Sequence, residues 1–388
     1  MSTVRVAGTG LTPFGNVPER TGRDLFAEAS IAAFDDSGVP REDVEAVFYG
    51  NFMGELAEHQ GHQGPLMAEA AGVQAPATRY ESACASSGAA VRDAVFRIRN
   101  GDADVVLVGG AERMTNLGTA GATEALAIAA DDLWEVRAGM TFPGAYALMA
   151  QAYFAEYGGE REDLAHVAVK NHENALPNEK AQYQSAITVE DVLEAPPVSA
   201  PIGLYDSCPI SDGAAALVLT SEAYAEEHDL DAPVAITGTG QGGDRMALHD
   251  REHLARSPAA REAGEEAYAD AGVDASDVDL AEVHDCFTIA EVLAIEALDL
   301  ERIGEGISAA RDGRTTADGE TPVNLSGGLK AKGHPVGATG ASQIAEIATL
   351  LTGDHPNDGY VEDATIGVAH NAGGTVASAT VHVLEVIA

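Results

Sequence analysis

Short apolar runs that end at glycines recur along the chain, and some of them occur twice. Val4–Gly10 alternates apolar with polar or small residues and runs into a glycine, and Val234–Gly240 repeats this pattern in the second half. Such alternation predicts a β-strand at each place. Val105–Gly110 and Thr365–His370 form a second pair, each typical of strands buried on both faces of a mainly parallel sheet. The pattern predicts two related halves.

Helical segments follow the strands at matching places in the two halves. In Ala33–Val39 and in Ala267–Val273 a predicted helix ends at a glycine, and a predicted strand follows each of them. Strands that alternate with helices are typical of the α/β class. We therefore predict an α/β fold made of two duplicated halves.

One long segment has no counterpart in the other half. Residues 118–194 are rich in helix formers, and Ala214–Leu219 then supplies an apolar strand that could complete the sheet of the first half. We interpret this segment as an insertion into the first half. The predicted division is an N-terminal half of residues 1–117 plus 195–232, an inserted domain of residues 118–194, and a C-terminal half of residues 233–388.

The composition is that of a globular protein, with 388 residues of which 45% are hydrophobic. No stretch approaches the roughly 20 apolar residues that a membrane helix needs, and the start of the chain shows no secretory signal. The three cysteines lie far apart, which favours free thiols over disulfides or a structural zinc site. We expect a soluble cytoplasmic protein with no membrane partner.

The charge is strongly negative, with 62 acidic and 22 basic residues and a net charge of −40. Such a charge repels phosphates and disfavours a nucleic-acid partner. In about 1 M salt the Debye length falls to about 3 Å, and the repulsion is screened. Only four of the basic residues are lysines. We hypothesise a halophilic cytosol, the alternative being an unusually acidic mesophilic protein.

Two local patterns suggest ligands only weakly. Gly8-x-Gly10 and Gly238-x-Gly240 resemble a dinucleotide motif, but their place at the head of both halves favours a repeated turn at a strand end. His59 and His62 have no evident third ligand, and Gly61 breaks helical spacing, so a polar loop is favoured over a metal site. We predict no metal ion.

Cys84 is the first candidate for chemistry. It precedes a helical pattern in which Val91, Val95 and Ile98 recur at helical spacing. A thiol at a helix N-terminus is favoured as thiolate by the exposed N–H groups and the helix dipole. A cysteine taken alone is more often a buried structural residue, so its context must decide.

Three histidines supply that context. His334 lies in a glycine-rich turn before a helix that begins with proline, where a base or hydrogen-bond donor is favoured over a packing role. His284 and His370 follow predicted strands that begin at Leu280 and Thr365. Strand ends line the ligand crevice in α/β sheets, so these residues are expected to meet there.

Five segments together resemble the thiolase family over essentially the whole chain. They are Ser82–Gly88, Gly109–Met114, Ser211–Leu219, Gly333–Gly340 and His370–Gly374. The resemblance implies two βαβαβαββ halves that form a five-layered αβαβα core, with an inserted loop domain.

Two positions depart from the biosynthetic thiolases. His284–Phe287 stands where they carry Asn-Glu-Ala-Phe, and His370 stands where they carry a second catalytic cysteine. Both departures resemble the sterol-carrier-type thiolases and the archaeal acetyl-CoA acetyltransferases, as do Gly139–Gly144 and Val169–Glu173. With the charge, this subgroup suggests a halophilic archaeal source.

The resemblance also implies catalytic roles. Cys84 would be the nucleophile that takes an acyl group from acyl-CoA, with His334 accepting its proton. His284 would donate to the enolate oxygen of the second acetyl-CoA. The base that removes the α-proton would be Cys286, with His370 as its partner or its substitute.

Contacts with coenzyme A are predicted for five residues: Ala372, Gly373, Lys332, Arg256 and Ser257. The N–H groups of Cys84 and Ala372 would hold the oxyanion. The lysines beside His334 are either contacts of CoA or chance surface residues. We interpret Cys208 as structural.

The function that follows is an acetyl-CoA acetyltransferase, which condenses acetyl-CoA with an acyl-CoA to a 3-ketoacyl-CoA and CoA, reversibly. It needs no permanently bound cofactor and could feed isoprenoid or polyhydroxyalkanoate synthesis. A degradative 3-ketoacyl-CoA thiolase is one alternative, and a non-catalytic CoA- or lipid-binding subunit is another. Family analogy suggests a homodimer or tetramer, and a small OB-fold protein as a possible further partner.

Overall fold

The computed structural model describes residues 3–387 and contains a nine-stranded sheet, a two-stranded sheet and twelve α-helices within that range. The strands are β1 (Val4–Leu11), β2 (Ala46–Gly50), β3 (Ala77–Tyr80), β4 (Val105–Glu112), β5 (Pro197–Ser199), β6 (Ile202–Gly203), β7 (Gly213–Ser221), β8 (Val234–Gly243), β9 (Leu280–Glu282), β10 (Ile366–Gly373) and β11 (Ser378–Val386). The helices are α1 (Gly22–Ser37), α2 (Gly54–Ala57), α3 (Gln63–Ala70), α4 (Ser86–Arg99), α5 (Gly118–Ala127), α6 (Phe142–Tyr157), α7 (Arg161–Ala175), α8 (Val189–Glu194), α9 (Glu222–Glu227), α10 (Pro258–Ala271), α11 (Thr288–Ala297) and α12 (Thr339–Thr352).

The large sheet repeats one arrangement on both sides of its centre. Its order is β3-β2-β4-β7-β1-β8-β11-β10-β9, and β1 pairs with β8 at the centre. Outward from there, β7 corresponds to β11, β4 to β10, and β2 to β9. The paired apolar runs of the sequence therefore occupy equivalent places, and β7 joins the first half's part of the sheet as predicted.

The expected mainly parallel sheet is wrong. Only β2–β3, β2–β4 and β9–β10 pair in parallel, and the other described pairs of the large sheet are antiparallel. β4 is nevertheless buried at every residue. Helices cover both faces of this mixed sheet, so burial on both faces does not require parallel neighbours.

Five layers result from the packing of helices on the two parts of the sheet. α1 and α3 cover the outer face of the first part, and α10 and α11 cover the outer face of the second. α4 and α12 lie between the two parts, where one hydrophobic core joins them to strands of both halves. The predicted five-layered αβαβα arrangement is confirmed. The βαβαβαββ pattern is complete only in the first half, because within residues 3–387 the second half has no strand equivalent to β3 and Val323 forms only an isolated bridge with Ala281.

The glycine pairs at the head of each half lie inside strands and serve close packing. A Cβ atom on Gly10 would lie 2.0 Å from the carbonyl oxygen of Ala29 in α1, and one on Gly240 would lie 2.0 Å from that of Ala263 in α10. Only glycine allows the helix to approach the strand so closely. The predicted turns at strand ends are therefore wrong, and the repeated pattern records the same strand–helix contact in each half.

Residues 118–194 carry α5 to α8, and no strand of the large sheet lies between Glu112 and Gly213 in the described chain. α6 and α7 pack against the segment that joins β9 to α11, in a core that includes Tyr146, Leu164 and Phe287. The insertion therefore forms one wall around that segment. The domain boundaries themselves remain a prediction.

None of the helices in residues 3–387 is both long and apolar enough to cross a membrane.

Candidate active site

Cys84 lies in a tight turn two residues before α4. Ala83 has a φ of +50°, a left-handed conformation that is uncommon for a residue other than glycine. The Ser86 hydroxyl closes the turn, because it accepts from the N–H of Ser82 at 3.0 Å and donates to the carbonyl of Ala83 at 2.5 Å. The predicted position at a helix N-terminus agrees with this geometry.

Two of the three expected histidines meet this thiol. One nitrogen each of His284 and His334 and the sulfur of Cys84 lie within 4.8 Å of one another. The two imidazole rings are nearly perpendicular, with centroids 5.0 Å apart. The fold thus brings together residues from three distant parts of the sequence, within reach of proton transfer after small side-chain movements.

The loop before α12 fixes the orientation of His334. Its backbone N–H donates to Ser211 Oγ at 3.0 Å, and its Nδ1 is 2.8 Å from Thr339 Oγ1. The Thr339 hydroxyl donates its one proton to the carbonyl of Pro335 at 3.1 Å, so it accepts from Nδ1–H. This network assigns the lone pair of His334 to Nε2. α12 begins at Thr339, so the expected helix start at Pro335 is wrong, and a short 3₁₀ turn intervenes.

His284 has the opposite tautomer. The Asn371 side-chain amide, a donor, is 3.2 Å from His284 Nδ1, which assigns the proton of His284 to Nε2. That Nε2 atom is buried and has no hydrogen-bond partner among the described residues. It is therefore a free donor beside the thiol.

His370 lies behind this cluster rather than at a strand end. It is inside β10, opposite Val381 of β11, and its Nδ1 accepts from the N–H of His284 at 3.4 Å. The expectation of a histidine at the end of that strand is wrong, because β10 continues to Gly373. His370 supports the main chain of His284.

Burial determines the protonation of the cluster. It raises the pKa of the Cys84 thiol to about 12, although the N–H of Gly374 donates to the sulfur and opposes this shift. Burial also lowers the pKa of His334 to about 3 and that of His370 to about 4, and it holds the pKa of His284 well below 6.5. The expected resting thiolate is therefore wrong. At neutral pH the site holds a thiol and neutral imidazoles.

All three cysteines line one cavity of about 530 Å³. His334 and Gly374 also line it, as do apolar side chains: Met114, Leu126, Phe142, Val198, Leu204, Ile210 and Phe287. Leu204 is 53% exposed, so the cavity connects the surface with Cys84. Cys208 lines the cavity and also packs against the hydrophobic core that includes Phe287, so its structural interpretation stays a prediction.

Cys286 is held beside the thiol by an aromatic residue of the insertion. The Tyr146 hydroxyl donates to the carbonyl of Gly374 at 3.1 Å and lies close enough to the Cys286 sulfur to affect the pKa of that thiol. The Tyr146 ring stacks on Phe287 at 4.6 Å. Burial raises the pKa of Cys286 well above 9.0. Sequence reasoning missed Tyr146, because a tyrosine in an apolar helix gives no signal distinct from core packing.

The five predicted contacts of CoA do not lie together. Ala372 is inside β10 and Gly373 lines a separate cavity of about 760 Å³, while Gly374 lines both cavities. Arg256 and Ser257 line a third cavity, which shares no lining residue with that of Cys84. There Arg256 pairs with Glu156 at 2.9 Å.

Three of the four lysines are buried inside the protein, so they are neither contacts of CoA nor chance surface residues. Lys332 is 2% exposed and pairs with Glu346 at 3.2 Å. Lys170 pairs with Glu291 at 3.1 Å, and Lys330 is equally buried. A buried ammonium group needs such partners, which these carboxylates supply.

Asp285 links the segments around the site. Its carboxylate accepts from the N–H of Leu329 at 2.6 Å and that of Lys330 at 3.2 Å, just before the His334 loop. It also accepts from Asn171 of the insertion at 2.7 Å. Asp285 and Asn171 belong to two segments that carry the resemblance, His284–Phe287 and Val169–Glu173, but the resemblance gave neither residue a role. The structure shows that they pack against each other.

Comparisons with known proteins identify the family of the chain. Residues 4–223 match the thiolase N-terminal domain, and residues 240–386 match the thiolase C-terminal domain-like family. The chain is 43% identical to acetyl-CoA acetyltransferase of Methanothermobacter thermautotrophicus over 386 residues, which cover 99% of this chain and 100% of that protein. It is 41% identical to acetyl-CoA acetyltransferase of Methanocaldococcus jannaschii over 391 residues, 99% of each.

A solved structure described as the Ltp2-ChsH2(DUF35) aldolase matches with a TM-score of 0.82 and 27% identity, over 99% of this chain and 98% of that one. The family matches cover both halves of the fold and include the cysteine and histidine segments of the site. The chain belongs to the thiolase family of acyltransferases.

Proposed function

We propose that the protein is an acetyl-CoA acetyltransferase that works through a thioester on Cys84. It would condense acetyl-CoA with an acyl-CoA to a 3-ketoacyl-CoA and free CoA, and thiolysis would use the same groups in reverse. The observation that carries the proposal is the approach of Cys84, His284 and His334 within 4.8 Å, beside a cavity that reaches the surface.

In the first half-reaction the thiol must lose its proton as it attacks. His334 Nε2 has the free lone pair to accept that proton, and the acyl group then passes from CoA to sulfur. The leaving CoA thiolate takes its proton from Cys286, which remains as a thiolate, while His334 keeps the proton of Cys84. The N–H of Gly374, which already points at the sulfur, is a better candidate donor to the oxyanion than that of Ala372.

In the second half-reaction a base removes an α-proton from acetyl-CoA, and the resulting enolate attacks the acyl thioester. The free Nε2–H of His284 suits donation to the enolate oxygen. Between the two candidate bases, Cys286 is favoured because it lines the cavity, whereas His370 does not. As the thiolate left when CoA departs, Cys286 can accept the α-proton, and the sulfur of Cys84 takes back the proton of His334 when the product leaves. Cys286→Ser should lower condensation far more than acylation of Cys84, and His370→Asn should lower both.

The pantetheine arm of CoA would enter through the cavity of Cys84, whose apolar walls suit its chain. Phe142 of the insertion, Ile210 of the returning segment and Phe287 of the C-terminal half would enclose it, in line with the proposed domain division. We therefore expect CoA to contact the lining of this cavity rather than Arg256 and Lys332.

We further propose that the protein is cytoplasmic and halophilic, since its cysteines are free and its net charge is −40. A homo-oligomer and a small OB-fold partner remain part of the proposal. The similar aldolase structure, whose description names a DUF35 component, supports the search for such a partner. We also propose that the 3-ketoacyl-CoA product is used in isoprenoid or polyhydroxyalkanoate synthesis.

A degradative 3-ketoacyl-CoA thiolase is the second candidate. The cavity of about 530 Å³ is the observation that favours it, because the volume leaves room for an acyl chain longer than acetyl. Rates of thiolysis measured with 3-ketoacyl-CoA thioesters of increasing chain length separate the two candidates. A preference for acetoacetyl-CoA supports the biosynthetic enzyme.

The proposed activity itself is tested with Cys84→Ala in molar salt, with and without a candidate partner. We expect the variant to lose all condensation and thiolysis while it remains folded. Turnover retained by Cys84→Ala would instead favour a non-catalytic role of this chain.

A further inference from the structure

We propose that Cys84, His284 and His334 also form a binding site for one thiophilic divalent cation, such as Zn²⁺, and that the bound cation holds the protein inactive. The inference does not depend on the acyltransferase reaction. It uses the same three side chains in a different chemical role, as ligands of a metal ion.

The donor set is suited to zinc. A thiolate and two imidazoles are ligands that Zn²⁺ prefers, and three protein ligands leave a fourth position for water or an incoming thiol. Tetrahedral Zn²⁺ holds its donor atoms about 3.5 Å apart. The three donor atoms lie within 4.8 Å of one another, so small side-chain movements bring them to that spacing.

The hydrogen-bond partners of the imidazoles support the same role. His334 Nδ1–H donates to Thr339, which leaves Nε2 free as a ligand. His284 Nε2 is buried without a partner. The Oδ1 atom of Asn371 is also buried without a partner, and its Nδ2 faces His284 Nδ1 at 3.2 Å. Rotation of this amide turns Oδ1 to His284, which then carries its proton on Nδ1 and offers Nε2 to the metal.

Binding would block the nucleophile. The Cys84 thiol releases its proton to solvent as the sulfur bonds to the cation, and no electrons are transferred. One lone pair of the sulfur and the Nε2 lone pair of His334 then bond to the cation, so the sulfur becomes less nucleophilic and its base is blocked. Acylation of Cys84 cannot begin until the cation leaves.

The test uses the full-length protein, stripped with chelator and titrated with Co²⁺ in the absence of any CoA compound. We expect one Co²⁺ per chain with a thiolate-to-cobalt absorption band, displaced by Zn²⁺. His284→Asn is the informative variant, because biosynthetic thiolases carry asparagine there. We expect it to weaken binding by more than about 100-fold, since it removes a direct ligand.

Cys208→Ser is the matched control, because it removes a thiol of the same cavity that lies outside the three-residue cluster. It should leave the band and the affinity unchanged. Zn²⁺ should also protect Cys84 from iodoacetamide in the parent protein. If His284→Asn does not fold, His334→Gln is expected to give the same loss of binding.

Equal Co²⁺ affinity of parent and His284→Asn would overturn the inference, and so would binding without a sulfur band, which is the signature of surface carboxylates. Loss of the band in Cys208→Ser would also overturn it, because the thiols alone would then form the site. Since no substrate is present, these results do not depend on whether the protein proves to be an acetyltransferase.

Discussion

The Glu112 carboxyl group is a buried acceptor that joins the Cys84 side of the site to the His334 loop. It is 1% exposed. One oxygen accepts from Asn51 Nδ2 at 2.7 Å and from the N–H of Met53 at 3.2 Å. The other accepts from the N–H of Phe52 at 2.8 Å and from that of Gly337 at 3.1 Å. Both oxygens therefore face only donors, and Glu112→Gln tests this arrangement without a change in shape.

The expected cost follows from those four bonds. A glutamine keeps one oxygen and replaces the other with an NH₂ group, so two donors lose their acceptor whichever way the amide turns. The protonated carboxyl group that prevails at pH 7 still presents an acceptor oxygen to each pair of donors. Each buried donor left unsatisfied by glutamine costs about 1–3 kcal/mol, which gives a loss of about 2–6 kcal/mol in the free energy of unfolding at pH 7. We also expect slower turnover, because Gly337 lies three residues after His334.

The pH dependence adds a second signature. Burial raises the pKa of Glu112 from 4.5 to about 8, so this carboxyl group stabilises the fold most below pH 4.5. Its contribution falls as the pH rises through 8. The deficit of the glutamine variant should therefore shrink over the same range.

The assay is chemical denaturation in molar salt, with Glu42→Gln as the control because Glu42 is exposed. The control should stay within about 0.5 kcal/mol of the parent. A Glu112→Gln protein as stable as the control would refute the argument.

Three further predictions concern the thiol, a buried ion pair and the surface charge. Burial raises the pKa of Cys84 to about 12, so its alkylation by iodoacetamide should become about tenfold faster per pH unit between about pH 7 and 9. Peptide mass spectrometry measures this rate, and a plateau in that range would contradict a neutral thiol. Lys332→Met should cost about 3–5 kcal/mol in denaturation experiments, since it removes the ammonium partner of the buried Glu346 carboxylate and leaves only His355. The exposed Lys180→Met should cost less than about 0.5 kcal/mol. The midpoint temperature of unfolding should fall when salt is lowered from molar concentration to about 0.1 M, because the net charge is −40; an unchanged midpoint would exclude a halophilic protein.

The partner of Lys332 adds a pH dependence with the opposite sign to that of Glu112. Burial opposes ionisation of Glu346, but the charges and hydrogen bonds of Lys332 and His355 bring its pKa down to about 2. The stabilisation is therefore present above pH 4.5 and is lost as the pH falls toward 2. Lys332→Met should remove much of this acid-side loss.

The duplicated fold could be predicted from the sequence because both halves repeat the same close contact. Glycines such as Gly10 and Gly240 leave room for a helix against a strand, and this requirement appears as a recurring pattern. Strand direction could not be predicted, because burial on both faces arises equally in the mixed sheet observed here. The runs that form β4 and β10 record burial, and they carry no information on the direction of their neighbours.

The centre of the site could also be predicted, since Cys84, His284 and His334 occupy turns where packing needs no such side chain. Its protonation could not, because desolvation depends on the whole fold around the thiol and outweighs the local helix terminus. The contacts expected of Lys332 and Arg256 failed for a related reason. Each of these positive residues is bound by a carboxylate, Lys332 by Glu346 of α12 and Arg256 by Glu156 of the insertion, and the sequence does not show these pairs.

The most direct test of the account is mass spectrometry of the protein after brief exposure to acetyl-CoA in molar salt. We expect one acetyl group per chain, on the peptide that contains Cys84, and its loss when CoA is added. An acetyl group confined to Cys208 or Cys286, or an unmodified chain under conditions in which the protein turns over substrate, would contradict the central claim.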